Sequence, residues 1–368
     1  MAGQDRQQKV EYDLLKSMAI LMVIQIHMMD VVELVSAGDL RAFHIHEVVR
    51  NLLLTSNGLF FMTSGRFLLE GYDGRIGRSY WKRFVKIGIP VLAASLFYYV
   101  YVYGWGWGDL GPHWKTFIKD LLQSHIQGYL WFVYALTGFY LAVPFLARML
   151  KGMGRGEKVV LLSVTIGYFF IQDLYQIFHL EMAFTSYPFY SWVFYCILGY
   201  LIDSLGLTDR EKRYLIIAGL CAFMVTVWEI CFWEKENPSL HDYSVTMIFM
   251  TTAAYLAVTA YGKRFAGRSA RIISFIGRRS FYIYLLHGLT QNILAGKLAR
   301  YLNGNPSETP GESFGPGQPG GLVSWACWLG LSLLSFAMAL GIGCVLEYGY
   351  RPILAWLLRA GEEKRGYK

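Results

Sequence analysis

Long apolar runs separated by short polar stretches dominate this chain of 368 residues. A helix needs about 20 predominantly apolar residues to cross the hydrocarbon core of a bilayer. Ten runs meet or approach that length: roughly 14–36, 48–70, 86–103, 128–147, 158–173, 188–204, 214–232, 244–262, 279–296 and 322–346. A backbone inside lipid must satisfy its own hydrogen bonds, and a helix does so within one segment. The pattern therefore predicts an all-α fold, a polytopic transmembrane helical bundle of about ten spans. The expected organisation is a single transmembrane domain over 1–368, without internal repeat or appended soluble domain. Residues 303–321 are rich in Gly and Pro, which predicts a disordered external loop. The first apolar run lacks a small-residue cleavage site, so it reads as a span rather than a leader.

Composition agrees with this pattern. The chain is 55 % hydrophobic and 16 % charged, where a soluble protein carries about 25 % charged residues. The net charge of +8 changes the picture only through its distribution. Taking alternate loops together, one side holds 26 Lys and Arg residues and the other holds 7. Such a bias predicts that both termini are cytoplasmic and that the cell membrane is the location. It also removes any need for a nucleic-acid partner. Trp105, Trp107 and Trp114 fall on the expected outer side and suit an interfacial belt. Cys196, Cys221, Cys231, Cys327 and Cys344 show no metal spacing and read as small apolar core residues. No metal is expected.

Ionisable groups inside the apolar runs carry the candidate chemistry, because they are costly there. Lys16 opens the first run and His27 follows eleven residues later. Eleven residues make about three helical turns, so the two share a face about 16 Å apart. His27 is a candidate general base, since a neutral imidazole takes a hydroxyl proton near pH 7. A hydrogen-bonded bundle histidine or a transporter's proton relay is the other reading. Asp30, one turn on, is placed to orient its ring. Lys16, Arg83 and Lys86 fall at the expected cytoplasmic surface, where positive-inside anchoring competes with anion binding; Arg66, within the second span, reads as a side chain snorkelling to the interface or as a ligand contact. Ser64 and Gly65 read as helix-packing residues. Asn57, Trp131, Tyr134 and His287 are candidate substrate contacts, each also compatible with core or belt packing. Glu229 reads as a snorkelling charge or an acceptor contact.

Five stretches in order resemble the acyltransferase 3 family of integral membrane acyltransferases. The first runs from Asp13-Leu14-Leu15-Lys16 to His27, with Lys16 where the family has arginine. The second is Phe60-Phe61-Met62-Thr63-Ser64-Gly65, followed by Arg66 where the family has an aromatic residue. The third is Arg83-Phe84-Val85-Lys86 ahead of Pro90, with Lys86 as the second base. The fourth is Leu130-Trp131-Phe132-Val133-Tyr134, with Tyr140 and Pro144 beyond it. The fifth is Ser280-Phe281-Tyr282-Ile283-Tyr284-Leu285-Leu286-His287. Together they cover the chain.

The resemblance implies an acyltransferase with His27 as its catalytic residue and acetyl-CoA or another acyl-CoA as the donor. Lys16, Arg66, Arg83 and Lys86 are then expected to bind the donor, its phosphates in particular. The implied acceptor is a hydroxyl of a cell-envelope carbohydrate or related small molecule, for which Asn57, Trp131, Tyr134 and His287 are the candidate contacts. The lipid bilayer is the remaining expected partner, and the sequence leaves oligomerisation open. The alternative from another class is a carrier or exporter of a small polar molecule or glycan intermediate. Recognition of acyl-CoA separates the two.

Overall fold

The computed structural model describes residues 10–36, 40–103, 110–181, 187–232, 242–303 and 322–363. Every element among them is helical. Seven stretches are long and apolar enough to cross a membrane: Val10–Met29, Ile76–Tyr101, Gly128–Gly152, Arg155–Ile177, Asp209–Phe232, Val245–Gly262 and Trp325–Gly361. The other three predicted spans are helical too, each with its own departure. Helix α2 (Leu40–Glu70) buries Asn51, Thr55, Ser56 and Thr63, which lowers its hydropathy. Helix α8 (Trp192–Ser204) has 13 residues, about 20 Å of rise. Helix α12 (Ser280–Asn303) carries buried His287, Thr290 and Gln291. The Gly/Pro-rich loop predicted at 303–321 lies outside the described residues from 304 on, Asn303 closing α12, and Trp105 and Trp107 lie outside them too.

The described residues divide between two compact units. One takes those within Met1–Phe67 and Met153–Gly341, the other those within Leu68–Gly152 and Ile342–Lys368. In the first unit, α1 (Val10–Ser36) packs against α10 (Val245–Gly262), α11 (Gly267–Gly277) and α12. Its Leu15, Ile20, Ile24 and Met28 are fully buried there. Helix α9 (Asp209–Phe232) packs on α10, and α7 (Arg155–Ile177) on α8 and α10. Helices α2 and α8 cross backbone to backbone. A Cβ on Gly65 would overlap the Cys196 carbonyl, and one on Gly199 would overlap the Met62 carbonyl. Two opposed glycines let the axes approach as no larger residue would, so Gly65 has the packing role its sequence context predicts.

The second unit contains α3 (Ile76–Arg83), a π-helical turn at Phe84–Gly88, α4 (Ile89–Tyr103), α5 (Leu110–Leu122) and α6 (Trp131–Gly152). The π turn has a local cause. Pro90 has no N–H to give Lys86 and its ring crowds that carbonyl. The preceding turn widens so that Ile89 N–H reaches back to Phe84 O. Helix α3 therefore runs on through this turn into α4, and the predicted span at 86–103 begins ten residues earlier, at Ile76. Helix α13 (Leu322–Glu363) likewise outruns its predicted end at 346. Its later part is tied into the second unit, where Trp81 Nε1–H donates to Leu357 O (3.3 Å) and Tyr350 O–H donates to Val85 O (2.6 Å).

Exposed apolar side chains line whole helix faces. They include Val160, Val164 and Phe170 on α7, Leu220, Met224 and Trp228 on α9, and Leu333, Val345 and Trp356 on α13. Water penalises such faces, whereas hydrocarbon does not. The same solvent explains the cysteines. Cys196 alone is buried; Cys221, Cys231 and Cys327 are exposed among apolar neighbours, so the predicted core role holds for one residue of the five.

Candidate functional site

The residues singled out from sequence divide between the two units. Lys16, His27, Asn57, Arg66 and His287 lie in the first; Arg83, Lys86, Trp131 and Tyr134 lie in the second.

Helix α1 sets out the first unit's chemistry by its periodicity. Its early turns place Tyr12, Asp13 and Lys16 against α2, α8 and α10. Lys16 Nζ donates to Asp13 Oδ1 (3.0 Å) and sits 5.6 Å from the centre of the Phe67 ring. Next to that ring in sequence, Arg66 pairs with Asp203, from the end of α8. The same carboxylate accepts Tyr12 O–H (2.5 Å) and Tyr255 O–H (3.2 Å). Four helices thus converge on one carboxylate, and two cations share the neighbourhood of Phe67. Both cations are already neutralised, Lys16 by Asp13 and Arg66 by Asp203.

Eleven residues along the same helix, half-buried His27 meets α12. Its ring centroid lies 5.3 Å from that of His287, with the planes tilted by 34°. His287 is wholly buried, and its Nδ1 lies 2.5 Å from Tyr284 O one turn back. The surrounding frame is polar. Gln291 Nε2–H donates to Ile24 O (3.1 Å), and Trp328 Nε1–H donates to Gln25 O (2.9 Å). The Thr290 and Ser335 hydroxyls meet at 2.7 Å. These bonds stitch α12 and the first part of α13 to α1 within one turn of His27. The Asp30 side chain, expected to orient His27, lies outside the described residues.

Asn57 belongs to a second polar cluster, away from the Lys16 end of α1. Its Nδ2–H donates to Asp242 Oδ1 (3.2 Å), while Tyr195 O–H donates to Asp242 O (2.6 Å). Burial pushes the Asp242 carboxyl from its ordinary 3.8 up to about 6, against the lowering effect of the Asn57 hydrogen bond. Nearby, Asp173 accepts the Val245 N–H that opens α10 (2.8 Å), and Ser244 caps the same helix through Met247 N–H (3.1 Å). Aromatic rings packed at tilted angles, among them Trp192, Tyr190 and Tyr243, lie beside this cluster.

In the second unit, the Arg83 guanidinium donates to Ser79 O (2.8 Å) and Ser79 Oγ, and lies 5.7 Å from the centre of the Tyr140 ring. These partners are neutral, and Arg83 Nε is buried with no acceptor. Lys86 is exposed on the π turn. Among the described residues neither cation has a carboxylate in ion-pair contact, unlike Lys16 and Arg66. Tyr134 O–H donates to Leu121 O, and Trp131 packs edge-on against Phe132 (6.1 Å). Both aromatics make contacts typical of packing residues.

Sequence reasoning passed over Asp203, Asp242 and Gln291. Asp203 left a signal in its lone carboxylate closing the apolar run 192–202. Gln291 lies in a polar Thr290-Gln291-Asn292 triplet one turn after His287, inside a predicted span. Asp242 follows a polar stretch of sequence and gave none.

Comparison with known proteins adds one finding. The model of a protein family described as an acyltransferase domain matches residues 9–348. No curated protein and no solved structure matches the chain.

Proposed function

The chain belongs to this acyltransferase 3 family of multi-pass membrane proteins, and on that premise we propose that it moves an acetyl or other acyl group from cytoplasmic acyl-CoA to a hydroxyl of a cell-envelope carbohydrate or related small molecule. The observation that carries the reading is His27, an imidazole half-buried in the middle of an apolar helix and backed by a second buried imidazole. An alcohol is a weak nucleophile until a base takes its proton. His27 accepts that proton as the acceptor oxygen bonds to the thioester carbonyl carbon. The tetrahedral adduct then collapses with loss of the C–S bond, and His27 returns the proton to the departing thiolate. Protons balance and no acyl-enzyme is required.

The donor phosphates favour Arg83 and Lys86. A cation already matched by a carboxylate offers an anion little net attraction, and displacing that carboxylate costs energy. Lys16 and Arg66 are so matched, whereas Arg83 keeps guanidinium donors for an incoming phosphate. Lys16 and Arg66 fix the ends of α1 and α2 in this reading. Sidedness follows from the charge bias, with both termini cytoplasmic, where acyl-CoA is made available. In lipid nanodiscs, titration of the purified protein with acetyl-CoA should show saturable binding that free acetate does not reproduce. A protein that binds no acyl-CoA would be a carrier rather than a transferase.

A further inference from the structure

A buried hydrogen-bond donor without an acceptor costs free energy, and the second unit brings two of them together. Tyr72 lies in the link 71–75 between α2 and α3. It is 8 % exposed, and its hydroxyl is sealed from solvent with no hydrogen-bond partner among the described residues. Arg83 Nε is in the same condition. Tyr72 is near enough to act on the Arg83 charge, together with Tyr140, Tyr80 and Asp73. A guanidinium nitrogen only donates and a phenol can donate, so both atoms are served by one acceptor. The surroundings favour a negative one. On α6, Lys151 Nζ donates to Glu70 O (3.0 Å) and Tyr72 O (2.9 Å), and Arg148 donates to Gly74 O (3.4 Å). Carbonyls satisfy these donors without cancelling their charge, and each cation keeps further donors. Asp73, the carboxylate that acts on Arg83, is itself engaged by Arg78 (3.5 Å) and by Arg75 N–H (3.1 Å).

We propose that Tyr72 is a further donor-binding residue: its hydroxyl and Arg83 Nε–H bind one phosphate group of the acyl-CoA, and Arg148 and Lys151 supply the surrounding positive charge. This inference rests on the reading of Arg83 as a phosphate contact and adds the residues that complete the site. Hydrogen bonds to an ionised oxygen are roughly twice as strong as neutral ones, so a phosphate rewards both orphaned donors at once. A phenol suits the place beside a guanidinium, because it adds a donor without adding a second positive charge. The phosphate reaches the two donors when the 71–75 link shifts. That link lies against α6 through the bonds from Lys151 and Arg148, the longer of them exposed, and both cations are themselves attracted to the incoming anion. Gly74, at φ +86° with open space around it, is a backbone position where the link can bend.

Removing one oxygen atom tests the assignment. Wild type, Y72F and R148Q/K151Q in lipid nanodiscs are titrated with coenzyme A, dephospho-coenzyme A and pantetheine. Y72F should weaken coenzyme A binding roughly 10- to 100-fold, the worth of a hydrogen bond to a charged group, and leave pantetheine as in wild type. R148Q/K151Q should also bind coenzyme A more weakly, with a smaller loss at high salt. A Y72F loss that persists with dephospho-coenzyme A places the hydroxyl at the pyrophosphate; a loss confined to coenzyme A places it at the 3′-phosphate. Without ligand, Y72F should melt at or above the wild-type Tm, since it removes a buried hydroxyl that has no partner. Unchanged coenzyme A affinity in Y72F would overturn the proposal, as would a lower ligand-free Tm, which marks a hydroxyl bonded within the protein. R148Q/K151Q binding coenzyme A like wild type at low salt would remove the two α6 cations from the site. Inorganic pyrophosphate separates this inference from the reading beneath it. Thermal stabilisation by pyrophosphate in wild type but not in Y72F, with no coenzyme A binding in either, would keep the anion site and end the acyl-CoA reading. Coenzyme A binding indifferent to Y72F would do the reverse, and a wild type that responds to neither ligand would remove both.

Discussion

At the scale of single residues, His27 carries the greatest weight. Its distance from Lys16 along one helical face was readable from spacing alone, because 3.6-residue periodicity holds over any straight helix. Its contact with His287 was not readable, since 260 positions separate them and only packing brings α1 to α12. Removing a general base costs roughly 10²–10⁴-fold in rate. His27→Ala and His27→Gln should both show that loss in kcat with acetyl-CoA affinity unchanged; a fall in affinity instead would make His27 a donor contact. The cations divide differently. Arg83→Ala with Lys86→Ala should weaken acetyl-CoA binding, and added salt should weaken wild-type binding in the same direction, since exposed charges are screened over about 8–10 Å. Equal affinity for coenzyme A in wild type and the double variant would return both residues to topology. Lys16→Arg should be tolerated, as the longer cation still reaches Asp13.

Helices meet through groups that sequence shows only as isolated polar letters in apolar runs. Asp203 gathers Arg66, Tyr12 and Tyr255 from three other helices. Asp203→Ala leaves the Arg66 charge without its counter-charge in a largely buried place, a loss of roughly 3 kcal/mol. Thermal unfolding of the purified variant should show it as a clear drop in Tm, and an unchanged Tm would demote the cluster to decoration. Asp242 gives a pH test of the α2–α10 contact. Its folded pKa of about 6 stands above the ordinary 3.8, so folding takes up a proton. The associated stability is present in full below about pH 4 and is lost as pH rises through 6, about 2–3 kcal/mol over that window. Asp242→Asn should flatten that slope and raise stability at pH 7; a slope unchanged in the variant would assign it to another group. The elements themselves were largely legible, because lipid demands runs of apolar residues. Their ends were less so. Pro90 marks a π turn inside a continuing helix rather than a boundary, and the apolar stretch 353–358 carries α13 past its predicted end at 346.

For the whole molecule, the 26-to-7 charge bias sets the sidedness of every proposed step. With the five native cysteines replaced, Gly154→Cys should resist an impermeant thiol reagent in intact cells, while Ser307→Cys should react. The reverse pattern would put the Arg83 region outside, away from acyl-CoA, and end the cytoplasmic donor route. The family was legible from five short motifs because catalytic and packing constraints keep such residues at fixed intervals. The acceptor was not, since hydroxyl recognition uses aromatic and polar side chains that also serve as packing. The central claim, that the protein transfers acyl groups with His27 as base, has one direct test. Envelope glycans and small hydroxylated metabolites are compared by mass spectrometry in cells with wild-type protein, with His27→Ala at equal abundance, and with none. The account predicts ester-linked acyl groups, traceable to labelled acetyl-CoA, in the wild-type sample alone. The same acylated species at equal level in the His27→Ala cells, or no acylated species in any of the three, would contradict it.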